Sequence, residues 1–193
     1  APNADLYLVP RTPDLPVVIR TTEPVVLAVN ATTSFDFYLP VWIQIVSRGN
    51  GRRPVADNVL ADLPTVAMKR SWFGAFDAGE SAYAQRVTPH EAPATHARRL
   101  RVPVTIVNRS SSVLRFERFL LRVIHLGVYT FQQQAVTNGV TVTFKGSEQM
   151  SRIVFESDET MKKRGALRES GPRVNSDGDI VRKSFDRLRE LVM

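Results

Sequence analysis

Short runs in which β-branched or aromatic residues alternate with polar ones dominate the first 155 residues of the chain. A period of two is the pattern of a strand with one buried face. Val17 to Arg20 and Val25 to Val29 come first, separated by Thr21-Thr22-Glu23-Pro24. Phe35, Phe37 and Leu39 then share a face. After Pro40 the alternation resumes, with Val41, Ile43 and Ile45 on one side and Trp42, Gln44 and Val46 on the other. Proline has no N–H for a ladder, which places Pro40 at a bend, an edge or a change of sheet. Ser47 to Arg53 contains Asn50-Gly51 and reads as a turn. Residues 54–64, bracketed by Pro54 and Pro64, read as a loop, and so do residues 86–99, which hold Pro89 and Pro93.

Further on, Val102, Val104 and Ile106 share a face, and Asn108 to Ser112 turns the chain. Leu114 and Phe116 point together, yet the next large apolar residue is Phe119, so the alternation slips near Glu117-Arg118 as it does at a bulge. Ile124, Leu126 and Val128 line one face of the following run; Val123, His125, Tyr129 and Phe131 line the other. Thr137-Asn138-Gly139-Val140 predicts a two-residue type I′ hairpin, since Asn-Gly tolerates positive φ at both central positions. Val140, Val142 and Phe144 follow, and Ile153 to Phe155 closes the series.

Strands without intervening helices predict a mainly β protein, an antiparallel β-sandwich over residues 1–160. Val25, Leu27, Phe37, Ile43, Val104, Ile106, Phe116 and Val142 are expected inside it. Residues 161–178 are polar and contain Ser170-Gly171-Pro172 and Asn175-Ser176-Asp177-Gly178, the composition of a linker. Residues 179–193 predict a C-terminal amphipathic helix capped by Asp179, with an apolar stripe of Val181, Phe185, Leu188 and Val192. Four turns are too few to be stable alone in water, so the stripe must dock. A symmetric homodimer through this helix is the expected arrangement, ahead of docking on its own domain. Arg182, Lys183, Arg187 and Arg189 are diluted by Asp179, Asp186 and Glu190, which favours a protein partner over a membrane.

Composition narrows the classes. At 193 residues, 43% hydrophobic and 23% charged, the chain can close a core. It has no cysteine, which excludes a disulfide scaffold, a thiol nucleophile and a thiolate metal site. No apolar run approaches the ~18 residues of a spanning helix. The net charge of +7 is uneven: residues 86–122 hold eight arginines against Glu91 and Glu117. Such a concentration suits phosphates, but no aromatic RNA-binding signature accompanies it. A solvated basic surface is expected, with no nucleic-acid partner.

Catalytic chemistry is sparse. His90, Glu91 and His96 are the one metal-ligand cluster, but Pro93 lies between two histidines six apart, and neither a metal nor a cofactor is expected. No nucleophile elbow, Gly-rich dinucleotide fingerprint or phosphate loop occurs. The reading is therefore a non-enzymatic binding or assembly module. The alternative is a hydrolase or lyase acting on carbohydrate, using Asp77 and Glu80 with His90 or His96. Trp72, Phe73, Phe76, Asp77, Glu80 and Tyr83 form the best candidate ligand surface, because aromatics beside carboxylates suit sugar stacking or a protein anchor. Against it stands the reading in which Trp72, Phe73 and Phe76 plug the end of the sandwich. Asn30-Ala31-Thr32 and Asn108-Arg109-Ser110 match the glycosylation triplet.

Several of these segments occur together in a known pattern. Glu23-Pro24-Val25 precedes paired strands, Phe35 to Ile45 follows, and Lys69-Arg70-Ser71-Trp72-Phe73-Gly74 is backed by Gly79-Glu80. Ile106-Val107-Asn108-Arg109-Ser110 then leads into Phe116 to Tyr129. Over residues 17–160 this order resembles an uncharacterised prokaryotic family of domains of unknown function. The resemblance implies no activity, cofactor or catalytic residue.

Overall fold

The computed structural model describes residues 4–49, 58–88, 98–146, 149–176, 179–182 and 184–185. In chain order its strands are β1 (Ala4–Arg11), β2 (Val17–Leu27), β3 (Thr32–Pro40), β4 (Trp42–Gly49), β5 (Asn58–Pro64), β6 (Lys69–Phe73), β7 (Glu80–Val87), β8 (Arg99–Asn108) and β9 (Leu114–Leu121). They continue with β10 (Val128–Phe131), β11 (Gln134–Thr137), β12 (Val140–Phe144), β13 (Ser151–Phe155), β14 (Leu167–Ser170) and β15 (Ile180–Arg182). A 3-10 turn, Val123–His125, precedes β10, and a short helix, α1 (Asp158–Lys163), precedes β14.

The protein is mainly β, and its sheets curl into a half-barrel. An eight-stranded sheet runs β14-β10-β11-β8-β12-β13-β15, with β3 also on β8; a four-stranded sheet runs β6-β7-β2-β9; a three-stranded sheet runs β1-β4-β5. The first two share one core. In β3 and β8 the alternation expected from sequence sets Phe35 opposite Val104 and Phe37 opposite Val102. Across from them, Ile19 pairs with Phe119 and Leu27 with Leu114. All of these side chains are buried in a single cluster, and the rings of Phe37 and Phe119, 5.3 Å apart, join the two sheets.

Purely antiparallel pairing is not observed. β2 runs parallel to β7, and β8 runs parallel to both β11 and β12. Alternation reports which face is buried and is the same for either neighbour direction, so the sequence pattern held no information on this. The type I′ hairpin also lies elsewhere. β11 and β12 follow one another along β8, so the chain passes through Asn138-Gly139 without reversing. Asn138 is buried there, accepting from the Gly127 N–H at 2.9 Å and donating to the Glu156 carbonyl at 2.8 Å. The reversal occurs at Gln132-Gln133, with φ of 49° and 61°, between β10 and β11.

Other boundaries move as well. Thr21–Pro24 does not divide two strands. It bulges from the single strand β2, whose register with β9 passes from Arg20↔Arg118 to Val25↔Phe116, four inserted residues facing Glu117. The irregularity expected at Glu117-Arg118 is present, with its extra residues on the partner strand. Pro40 ends β3 where the chain changes sheet, and the alternation changes phase with it. Trp42, Gln44 and Val46 become the buried face of β4, and Ile43, expected inside, is only half-buried on the other. Val25 is likewise only partly buried. Residues 58–64, read as loop, form β5. Val123 to His125, read as strand, forms the 3-10 turn.

The expected linker at 161–178 contains regular structure. The Ser157 hydroxyl caps α1 by accepting from the Thr160 N–H at 3.2 Å. Ion pairs Asp158–Lys162 and Glu159–Lys163 then span single turns of the helix. β14 follows and pairs with β10. The polar composition belonged to a short capped helix and an edge strand.

The helix expected at 179–193 is replaced at its start by β15, which pairs antiparallel with β13. Val181 is exposed and Phe185 buried, so the two do not share an apolar stripe. Phe185 sits among Phe116, Phe119 and Phe144 at centroid distances of 5.1, 6.2 and 5.5 Å. β-branched Ile180 and Val181 suit an open sheet edge, and the core takes the phenyl ring. Leu188 and Val192 lie outside the described residues.

Candidate functional site

The six candidate residues lie on the β6–β7 hairpin, and the pleat divides them. Trp72 stands opposite Ser81 and Arg70 opposite Tyr83, while Phe73 stands opposite Glu80. Phe73 points to a small second core with Val18, Ala82 and Leu120. Tyr83 points to the main core, its ring 5.9 Å from Trp42. Phe76 occupies the turn and is 97% exposed; Trp72, at its foot, is 45% exposed. Of the three aromatics Trp72, Phe73 and Phe76, Phe73 alone is buried.

Glycines shape the turn. Gly74 has a φ of 98°, in the left-handed region. A Cβ at Gly79 would collide with the Trp72 indole nitrogen and with the carbonyls of Phe73 and Ala75. The Trp72 N–H donates to the Ala75 carbonyl at 3.0 Å, so the indole presents its ring rather than its donor. The turn end of the hairpin is tied twice, to β9 and to the residue that follows it. Arg118 donates to the Trp72 carbonyl at 3.1 Å, and Arg122 donates to the Glu80 carboxylate at 2.5 Å. Arg122 is buried, and that burial lowers its pKa against the opposing pull of Glu80. Glu80 is thus held in an ion pair, and Asp77 stands in the exposed turn.

Tyr83 leads to a second, polar cluster. Its hydroxyl donates to Asp14 at 2.9 Å, and burial, with this carboxylate, raises its pKa. Arg173 lies over the Trp42 ring at 5.6 Å and donates through both terminal nitrogens to Asp62. Its Nε donates to the Thr12 carbonyl at 2.7 Å. The Thr12 hydroxyl and the Trp42 N–H, both buried, have no hydrogen-bond partner among the described residues. Trp42 and Arg173 were not singled out from sequence. The signal for Trp42 was its place on the reverse face of β4; Arg173, in a segment read as linker, carried none.

His90, Glu91 and His96 lie outside the described residues. No group of three or more His, Asp or Glu side chains able to hold a metal occurs among the described ones. Of the arginines of 86–122, Arg86 and Arg118 flank Arg20 in one cross-strand row of the four-stranded sheet. Arg122 pairs with Glu80, Arg101 lies 3.6 Å from Asp36, and Arg118 serves the hairpin. Asn108, of the second glycosylation triplet, is buried and fully engaged in hydrogen bonds. No described helix is long and apolar enough to cross a membrane.

A family model described as a protein of unknown function, DUF432, matches residues 1–190. The chain belongs to that family. The DUF432 match extends the resemblance read over residues 17–160 in both directions, through α1, β14 and β15. No curated protein and no solved structure matches the chain.

Proposed function

We propose that this DUF432 protein is a non-enzymatic binding or assembly module that meets its ligand through the β6–β7 turn. The observation that carries the reading is the near-complete exposure of Phe76 beside half-exposed Trp72, on a turn whose strands are fastened to β9 and to Arg122 just after it. Large apolar rings held in solvent on a rigid scaffold cost solubility unless something covers them. With the indole N–H already satisfied, the chemistry on offer is ring stacking and apolar contact. The expected ligand is a carbohydrate face or an apolar protein side chain. Glu80, engaged by Arg122, supports binding over carboxylate-pair hydrolysis.

The chain has two tryptophans, and Trp42 is buried, so Trp72 reports its own surroundings. A glycan array followed by fluorescence titration of its hits is expected to show Trp72 quenching. Phe76→Ala should weaken that binding at least tenfold while leaving the melting temperature unchanged. Glycan turnover abolished by Asp77→Asn would overturn the reading in favour of a carbohydrate-active hydrolase or lyase.

A further inference from the structure

β2 turns Val17 and Ile19 into the main core and Val18 into the small second core. Arg20, two residues beyond Val18, therefore stands on the face of the four-stranded sheet turned away from the main core. Register sets Arg86 of β7 on one side of it and Arg118 of β9 on the other. Three cations thus share one row across strands about 4.8 Å apart, a span of about 10 Å. The preceding row on this face is Lys69, Ala84, Val18 and Leu120, and beyond the β2 bulge stands the pair Val26 and Arg115. These rows hold five cations and no Asp or Glu. Lys69, Arg20, Arg86 and Arg115 are exposed; Arg118 is half-buried and donates to the Trp72 carbonyl. Elsewhere Arg101, Arg122, Arg152 and Arg173 are each met by a carboxylate. Among the described residues neither Glu23 in the bulge nor Glu117 opposite it forms an ion pair with Arg20 or Arg86.

We infer that this row is a surface for the phosphate backbone of a nucleic acid. Like charges directly opposite one another on a sheet repel, and the fold supplies no carboxylate to offset Arg20 and Arg86. A polyanion from outside does so. Guanidinium groups present a planar fork of donors that matches the paired oxygens of a phosphate. Charge density selects the class of partner. A nucleic acid carries a phosphate per about 3.4 Å of each strand, dense enough to meet every cation in a row spaced at about 4.8 Å. A polysaccharide charged once per sugar, or a bilayer with anionic lipids diluted among neutral ones, is sparser. The chain's +7 charge and pI near 10.2 draw the same partner at long range. Backbone contacts need no stacking ring, so the aromatic signature of base-reading RNA modules is not required, and they are indifferent to base sequence. The inference is independent of the hairpin reading, since it uses the arginine side chains and neither the Trp72 nor the Phe76 ring.

Two labelled probes test it by fluorescence anisotropy with the full chain: an oligothymidylate of about 20 bases, longer than a single-strand site of about 4–16, and a duplex of the same length. The expected result is a Kd of about 1–100 μM near physiological salt for at least one probe, and which probe binds separates single strand from duplex. The logarithm of affinity should fall against that of salt with a slope of about −2 to −3, as for three phosphates. Arg20→Glu should weaken binding at least tenfold, and Arg20→Gln should reduce the slope by about 1. Neither should lower the melting temperature, because both relieve repulsion within the row. Lys145→Glu makes the same charge change at an exposed position just past β12, on another sheet, and should weaken binding about twofold or less. Absence of binding to both probes at about 50 mM salt overturns the inference, as does an Arg20→Glu variant that loses no more than Lys145→Glu. Tighter binding of polygalacturonate than of either probe, lost in Arg20→Glu, would overturn it by assigning the row to an acidic polysaccharide. Phosphatidylglycerol vesicles bound through Arg20 by a chain that ignores both probes would overturn it in favour of a lipid surface.

Discussion

Asn108 holds the Ser110 hydroxyl at 2.7 Å through its side-chain oxygen, and the same oxygen accepts the Ser110 N–H at 3.0 Å. Its amide nitrogen lies within hydrogen-bond distance of the carbonyls of Leu27, Ala28 and Ser112. One buried amide therefore joins the end of β2 to the turn between β8 and β9. Asn108→Ala leaves those carbonyls without their donor and should cost about 2–4 kcal/mol, read from urea unfolding. Asn108→Asp replaces the donor by a carboxylate and should cost at least as much. A loss below about 0.5 kcal/mol, the size of an ordinary surface change, would show that the junction is held by other means.

Gln132 and Gln133 both adopt positive φ in a two-residue turn, a conformation that costs an ordinary L-residue about 1–2 kcal/mol. Replacing the pair by Asn-Gly should raise stability by about 1 kcal/mol, the relief exceeding the entropy glycine adds to the unfolded chain. An unchanged or lower urea midpoint would contradict the turn assignment.

A glycine is required at position 79 for lack of space. Gly79→Ala drives a methyl into the Trp72 indole and two carbonyls and should destabilise by about 1–3 kcal/mol. Iodide quenching of Trp72 should rise as the indole leaves Ala75. Wild-type quenching together with wild-type stability would mean that Trp72 is not seated as described.

The Tyr129 hydroxyl lies 3.1 Å from Asp158. Burial first, and the Asp158 carboxylate next, push its pKa up to about 12 from the ordinary 10.0. The fold favours the neutral phenol, so its contribution is complete below pH 10 and is lost as the pH rises toward 12. Urea midpoints should fall over this window, and Tyr129→Phe should fall less. An equally steep fall in the variant would remove Tyr129 as a cause; Tyr83, raised chiefly by burial, would remain as one.

Phe185 closes an aromatic cluster with Phe116, Phe119 and Phe144. Phe185→Ala should cost about 3–5 kcal/mol, as expected for emptying a core site. Val181→Ala, at an exposed position, should cost under about 1 kcal/mol. Similar losses for the two would restore a helical stripe in which both are buried together.

The mainly β character, the inward faces of β3 and β8, the change of sheet at Pro40 and the irregularity near Glu117 were legible in the sequence. Each rests on local alternation or on the missing N–H of proline, and both act within a few residues. Strand direction, sheet membership and which face of β4 turns inward were decided by tertiary structure. Alternation is unchanged when a neighbour reverses, and Trp42 and Ile43 are equally apolar, so only the surrounding sheets select between them. The same limit acted at the chain end, where a spacing of four between Val181 and Phe185 fits a helix. An open edge on β13 and a gap among three phenylalanines made it a strand and a core plug. At the candidate site, sequence placed aromatics and carboxylates together. The pleat of the hairpin turned Phe73 inward and its neighbour Trp72 to the other face, the packing of the main core covered Tyr83, and only the approach of Arg122, forty-two residues away, paired Glu80.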